Sequence, residues 1–158
     1  MPKSGTSGSV RVESREGLLY STGRCWMTID EALDKLSHSK FRSSFHLRQK
    51  EIAYIDEKGM DTIRRHCEDI VRERLAVKDP VNDGKQTPMK GHPVFLAQHA
   101  CACCCRGCLN KWYRVPKHTE LTAVQQEKIV NLLMAWIERE YQEKKNPSCD
   151  GSLDQKVN

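Results

Sequence analysis

The sequence predicts a mainly α-helical protein: a small single helical domain with a metal-stabilised Cys/His-rich central loop and disordered tails. Apolar residues recur at helical spacing in several segments, and capping signals precede two of them. Five of the eight cysteines fall between positions 101 and 108. A length of 158 residues fits one domain. We therefore predict a tail over residues 1–27, a body over 28–144 and a second tail over 145–158.

Three helices are predicted in the first half of the body. Thr28 and Glu31 have the spacing of a capping box, so a short first helix begins there and ends near Ser37. A second helix is predicted over residues 43–58, and Gly59 ends it because glycine readily adopts a positive φ. A third helix follows at once, and its apolar residues recur at helical spacing: Ile63, Cys67, Ile70, Val71 and Leu75.

The second half combines a loop with one long helix. Residues 77–93 contain three prolines and a strong turn signal, which predict a loop. The apolar run at 94–97 is too short to assign to a helix or a strand. A short helix is predicted over 106–113. The longest helix is predicted over 121–144, where Thr122 begins a second capping box and an apolar stripe follows.

The cysteine cluster predicts a metal site, because thiolate and imidazole are the ligands that zinc prefers. Cys105 and Cys108 form a C-x-x-C pair, whose spacing lets both sulfurs meet one ion. The candidate ligands are His92, His99, Cys104, Cys105 and Cys108. Cys101 and Cys103 compete with them. Zinc is favoured, with an iron–sulfur cluster as the alternative cofactor, and a redox thiol pair or buried free thiols stay open.

The same segment is strongly basic. Residues 84–119 contain six Lys or Arg and no Asp or Glu, whereas the whole chain has a formal net charge of +5. Such a segment attracts phosphate chains, and an aromatic ring beside it can stack on bases, so DNA or RNA is the expected partner. The candidate contact residues are Lys85, Lys90, Arg106, Lys111, Trp112, Arg114 and Lys117.

The sequence indicates a cytoplasmic protein that does not enter a membrane. No apolar run is long enough to cross a bilayer, and the N-terminus lacks the apolar stretch of a secretory signal. In a reducing compartment, clustered thiols bind metal or carry out redox chemistry more often than they form structural disulfides.

Several short motifs resemble an uncharacterised, mainly bacterial and phage family, the domain of unknown function 4186. The matching pieces lie between Ala32 and Ile137 and cover about two thirds of the chain. They are FR at 41–42, FHL at 45–47, YI at 54–55, KG at 58–59, Ile63 with His66, DGKQTP at 83–88, GHPVF at 91–95, AQHA at 97–100, CCR at 104–106, CL at 108–109, KW at 111–112 and PK at 116–117. The resemblance implies a shared fold and site, but no reaction.

Two departures from the family pattern bear on the site. The family has Thr at the positions of Cys101 and Cys103, which favours Cys104, Cys105 and Cys108 as ligands. It tends to have His at the position of Tyr113, so a role of that histidine in relatives would be lost or altered here.

Three functions follow from these features. The leading one is a small zinc-binding protein that engages nucleic acid through its basic segment. The second is a metal-dependent hydrolase or nuclease, in which His66, His92 and His99 surround an open metal position. The third is a protein-interaction module with structural zinc. No paired carboxylates and no serine nucleophile motif occur, so the sequence predicts no reaction and leaves enzyme activity open.

Overall fold

The computed structural model describes residues 27–147, in which six α-helices and no strand occur. This confirms the mainly helical prediction. The helices are α1 (Ile29–Ser37), α2 (Gln49–Lys58), α3 (Met60–Ile70), α4 (Pro93–Ala100), α5 (Arg106–Tyr113) and α6 (Ala123–Lys145). A 3-10 turn covers Arg42–Ser44, and a π-helical turn, Val71–Leu75, continues α3. The predicted tails fall almost wholly outside the described residues, as do Cys25 and Cys149, so the domain boundaries stay predictions.

Helix α6 forms the centre of the fold. It packs against α1, α3 and α4, and its buried stripe includes Ile129, Leu133 and Ile137. The predicted capping box is present, because Thr122 and Gln125 each bond the backbone N–H of the other. No helix in the described part of the chain is both long enough and apolar enough to span a bilayer.

Helix α4 is buried on almost every side, which explains why its sequence pattern is ambiguous. Val94, Leu96, Ala97 and Ala100 are all at most 3% exposed. A helix buried all round shows no alternation between polar and apolar faces, so periodicity cannot identify it. Its start is set by Pro93, whose fixed φ suits the first helical turn.

Helix α2 begins at Gln49, six residues later than the sequence pattern predicts. The preceding residues are extended, because the buried carboxylate of Glu140 accepts the N–H of Leu47 at 3.1 Å. Glu51 accepts the N–H of Arg48 at 3.0 Å and so defines the new helix start. The contact with Glu140 spans 93 residues of sequence, and no local pattern can reveal it.

Gly59 joins α2 to α3 without a loop, as predicted. Its φ of +84° lies in a region that other residues rarely adopt, so glycine is required at this corner. After it, four of the five residues of the predicted stripe are buried, because Ile63, Cys67, Val71 and Leu75 are at most 1% exposed, whereas Ile70 is partly buried.

Arg106 lies inside the fold, although it belongs to the basic segment. Its side chain is 1% exposed, and its guanidinium donates to the carbonyls of Val77, Pro116 and Thr119 at 2.9, 2.8 and 2.6 Å. The Asp83 carboxylate accepts the backbone N–H of Arg106 at 2.9 Å. Arg106 therefore ties two loops to the start of α5 and does not face a partner.

The first prediction concerns this buried guanidinium. Arg106→Met should lower the free energy of unfolding by about 3 kcal/mol, because several backbone carbonyls lose the hydrogen bonds that the buried guanidinium donates. The matched control is Arg65→Met at an exposed position of α3, which should change stability by less than about 0.5 kcal/mol. Chemical denaturation measures both values. Equal effects in the two variants would show that the carbonyl contacts of Arg106 do not stabilise the fold.

Candidate metal centre

Three sulfurs lie together at the start of α5. The Sγ atoms of Cys104, Cys105 and Cys108 are all within 4.8 Å of one another, and those of Cys104 and Cys108 are 3.5 Å apart. Cys105 is the N-cap of α5, and its Sγ accepts the N–H of Cys108 at 3.3 Å. Ligands about 2.3 Å from a tetrahedral zinc ion lie about 3.8 Å from one another, so the three sulfurs fit such an ion.

A buried arginine contacts this sulfur group. Arg42 is 8% exposed and donates to the Sγ of Cys108 at 3.2 Å, to the Sγ of Cys104 at 3.7 Å and to the carbonyl of His99 at 2.6 Å. Burial alone would lower the pKa of Arg42. The interactions with the sulfurs of Cys104 and Cys108 together have the larger effect, so the pKa of Arg42 lies above its ordinary value. The contact places a positive charge beside two of the three sulfurs.

The three thiols differ in their electrostatic surroundings. The hydrogen bond between the two sulfurs lowers the pKa of Cys104 despite its burial, and Arg42 adds to the effect. The same hydrogen bond, together with burial, raises the pKa of Cys108. Burial also raises the pKa of Cys105. Without a metal ion, Cys104 is therefore the thiol of the group that ionises most readily.

The other described cysteines lie outside the sulfur group. Cys67, Cys101 and Cys103 are completely buried among apolar side chains. Burial is the main cause that raises the pKa of each thiol. The thiol of Cys103 donates to the carbonyl of Cys101, a contact that a hydroxyl can also make. These three cysteines pack as small apolar residues.

His99 lies beside the site but is not part of the sulfur group. Its Nε2 is within hydrogen-bonding distance of the carbonyls of Thr87 and Pro88, at 3.2 and 3.1 Å. Because carbonyls only accept, this nitrogen carries a hydrogen. The ring of Phe45 stacks on the imidazole, with centroids 5.3 Å apart. The imidazole thus orders the loop before α4, and the carbonyl of His99 receives Arg42.

His92 is also outside the sulfur group, and its two ring nitrogens have other partners. Nδ1 accepts the N–H of Val94 at 3.1 Å and so caps α4. In the neutral ring the hydrogen is then on Nε2, which donates to Nδ1 of His66 at 3.1 Å. A ring nitrogen that carries a hydrogen cannot bind a metal. His66, His92 and His99 therefore do not surround one open metal position in this structure.

The basic residues of the central segment divide into one buried arginine and a set of surface cations. Lys85, Lys90, Lys111, Arg114 and Lys117 are exposed, whereas Arg106 is buried as described above. The Nζ of Lys117 lies 4.0 Å from the Oδ2 of Asp83. Trp112 is half-buried, and the ammonium of Lys35 lies 5.9 Å from the centre of its ring.

Comparison with known proteins identifies the family. Residues 30–138 match the family described as a domain of unknown function (DUF4186). The chain belongs to this family. No solved structure matches it. The family description states no activity, so the sulfur group and its surroundings are the features that bear on the function of this DUF4186 protein.

Sequence reasoning did not assign a role to Arg42, although the residue lies in one of the family motifs. A signal was present, because residues 35–50 contain several basic side chains and no Asp or Glu. An arginine without a nearby acid in sequence either faces solvent or finds its negative partner elsewhere in the fold. Only the three-dimensional structure shows that the partners are sulfurs 62 and 66 residues away.

The second prediction concerns His92. Burial, and secondarily His66, lower its pKa to about 4, whereas histidine in an unfolded chain titrates at about 6.5. The unfolded state therefore binds the proton more tightly, so this contribution to stability is complete above about pH 6.5 and is lost as the pH falls toward 4. His92→Asn keeps an oxygen for the N–H of Val94 and should flatten the pH dependence of unfolding in that range, without changing the metal content.

The control is His118→Asn, which replaces an exposed histidine. Denaturation curves at several pH values and elemental analysis give the two readouts. If His92→Asn releases metal while His118→Asn does not, His92 is a ligand and the hydrogen-bonding scheme above is incorrect.

Proposed function

We propose that this protein binds one zinc ion through Cys104, Cys105 and Cys108, and that the ion stabilises the loop before α5. The observation that carries the proposal is the meeting of three sulfurs within 4.8 Å beside a buried guanidinium. Two of the three sulfur residues are buried, and the third is half-buried, which suits a structural ion shielded from solvent. Such a role requires reduced thiols and therefore a reducing compartment such as the cytoplasm.

Charge supports this assignment. Three thiolates around Zn²⁺ leave a net charge of −1, and the guanidinium of Arg42 supplies the compensating +1 at 3.2 Å from one of the sulfurs. A four-thiolate iron–sulfur cluster would require one more sulfur than the group of described residues provides. We therefore favour zinc over the cluster, with a fourth ligand that completes the tetrahedron.

The third prediction tests the metal. The purified protein should contain about one zinc per chain, and Cys105→Ser or Cys108→Ser should release it, because a hydroxyl is a poor zinc ligand. Loss of the zinc ion should lower the free energy of unfolding by several kcal/mol as an order of magnitude, since structural zinc binding contributes to folding free energy. Elemental analysis and thermal unfolding measure the two effects.

The matched control is Cys103→Ser, which makes the same chemical change outside the sulfur group. Its hydroxyl can still donate to the carbonyl of Cys101, so zinc content should stay at the wild-type level. A wild-type protein that is folded and free of metal, when prepared without chelators, would contradict the proposal.

We further propose that nucleic acid binds to the exposed cations of the central segment. Among residues 27–147, no salt bridge involves Lys85, Lys90, Lys111 or Arg114, and all four are exposed. Arg42 already offsets the charge that the zinc site would carry, so these four cations are not needed to balance the charge of that site. Phosphate groups are the partners that such a surface attracts.

The fourth prediction tests the nucleic acid. Lys111→Glu/Arg114→Glu should weaken binding of short single- and double-stranded DNA and RNA by about tenfold or more, and added salt should weaken wild-type binding steeply. The charge-matched control is Lys50→Glu/Lys144→Glu, which changes exposed lysines of α2 and α6. Fluorescence anisotropy measures all affinities. If both double variants lost affinity equally, nucleic-acid binding would depend only on the net charge of the protein.

A further inference from the structure

Two of the three sulfurs are in direct contact. The Sγ atoms of Cys104 and Cys108 are 3.5 Å apart, and the thiol of one donates a hydrogen bond to the other. We propose that these two cysteines form a reversible disulfide when the protein meets a hydroperoxide, and that this oxidation discharges the metal ion. The metal part of the inference rests on the proposed function, whereas the disulfide part rests on the sulfur geometry alone.

The geometry selects this pair over the one that the sequence motif suggests. A C-x-x-C motif indicates a disulfide between Cys105 and Cys108. In the structure, however, the Sγ of Cys105 is held by the N–H of Cys108 at the N-cap of α5. The Sγ atom that lies 3.5 Å from that of Cys108 belongs to Cys104, the residue before the motif.

The partial exposure of Cys108 gives a small oxidant access to the pair of sulfurs. Cys108 is half-buried, whereas Cys104 and Cys105 are 8% and 7% exposed. One sulfur of the pair attacks the peroxide, the O–O bond breaks, and the products are a sulfenic acid and water or an alcohol. The other sulfur of the pair then attacks the sulfenic sulfur, the S–O bond breaks, and the hydroxide that leaves is protonated to water. In total, two thiols and one hydroperoxide give a disulfide, water and an alcohol, or two waters from hydrogen peroxide.

Oxidation removes two of the three proposed thiolate ligands of the metal ion. A disulfide sulfur is not a thiolate ligand, so only Cys105 of the sulfur group would remain. Because thiol–disulfide exchange reverses the reaction, a reductant should restore both thiols and metal binding. The inference therefore assigns redox control to the proposed zinc site.

The experiment treats the purified, reduced full-length protein with hydrogen peroxide in small excess. Intact mass spectrometry should show the loss of two hydrogens, peptide mapping should place the bond between Cys104 and Cys108, and a zinc-sensitive dye should report about one ion released per chain. Dithiothreitol should reverse the mass change. Because the mapping uses the wild-type chain, it does not depend on whether any cysteine variant folds.

Two variants sharpen the result. Cys104→Ser should abolish the mapped disulfide, whereas the control Cys103→Ser should form it at the wild-type rate. A bond mapped to Cys105 and Cys108, or oxidation that stops at irreversible sulfinic acid, would overturn the inference. A protein without metal that still forms the bond between Cys104 and Cys108 would support the disulfide and refute the proposed zinc function, so the two failures are distinguishable.

Discussion

The guanidinium of Arg42 is buried with a backbone carbonyl and two sulfurs as its hydrogen-bond partners. A buried cation is costly unless a negative group compensates it. Within residues 27–147 no carboxylate forms a salt bridge with Arg42, so the sulfurs of Cys104 and Cys108 are the groups on which the compensation depends. These contacts join the turn at 42–44 to the end of α4 and the start of α5, which lie 57 to 66 residues later in the sequence.

The polar residues of the central segment therefore serve different purposes, although they look alike in sequence. Arg106 supports loops from inside, whereas Lys111 and Arg114 remain on the surface. His92 and His99 resemble metal ligands, but they cap α4 and order the loop before it. The metal proposal depends on three cysteines within five positions of the sequence, and the nucleic-acid proposal depends on exposed cations that form no salt bridge among the described residues.

Much of the fold was predictable because its signals are local. The capping boxes at Thr28 and Thr122 and the corner at Gly59 depend on residues within a few positions of one another. The late start of α2 was not predictable, because the carboxylate that holds the preceding residues extended belongs to Glu140, 93 residues from Leu47. At the site, the C-x-x-C spacing indicated two of the three grouped sulfurs. The contact of Arg42 and the partners of the histidines are tertiary, and neither composition nor spacing contains them.

The most direct test of the central claim is X-ray absorption at the zinc K-edge of the protein as purified. A site formed by Cys104, Cys105 and Cys108 predicts three sulfur atoms at about 2.3 Å from the metal, together with a fourth ligand. Cys103→Ser should leave this sulfur shell unchanged. A first shell with fewer than three sulfurs, or one composed of nitrogen and oxygen alone, would contradict the account.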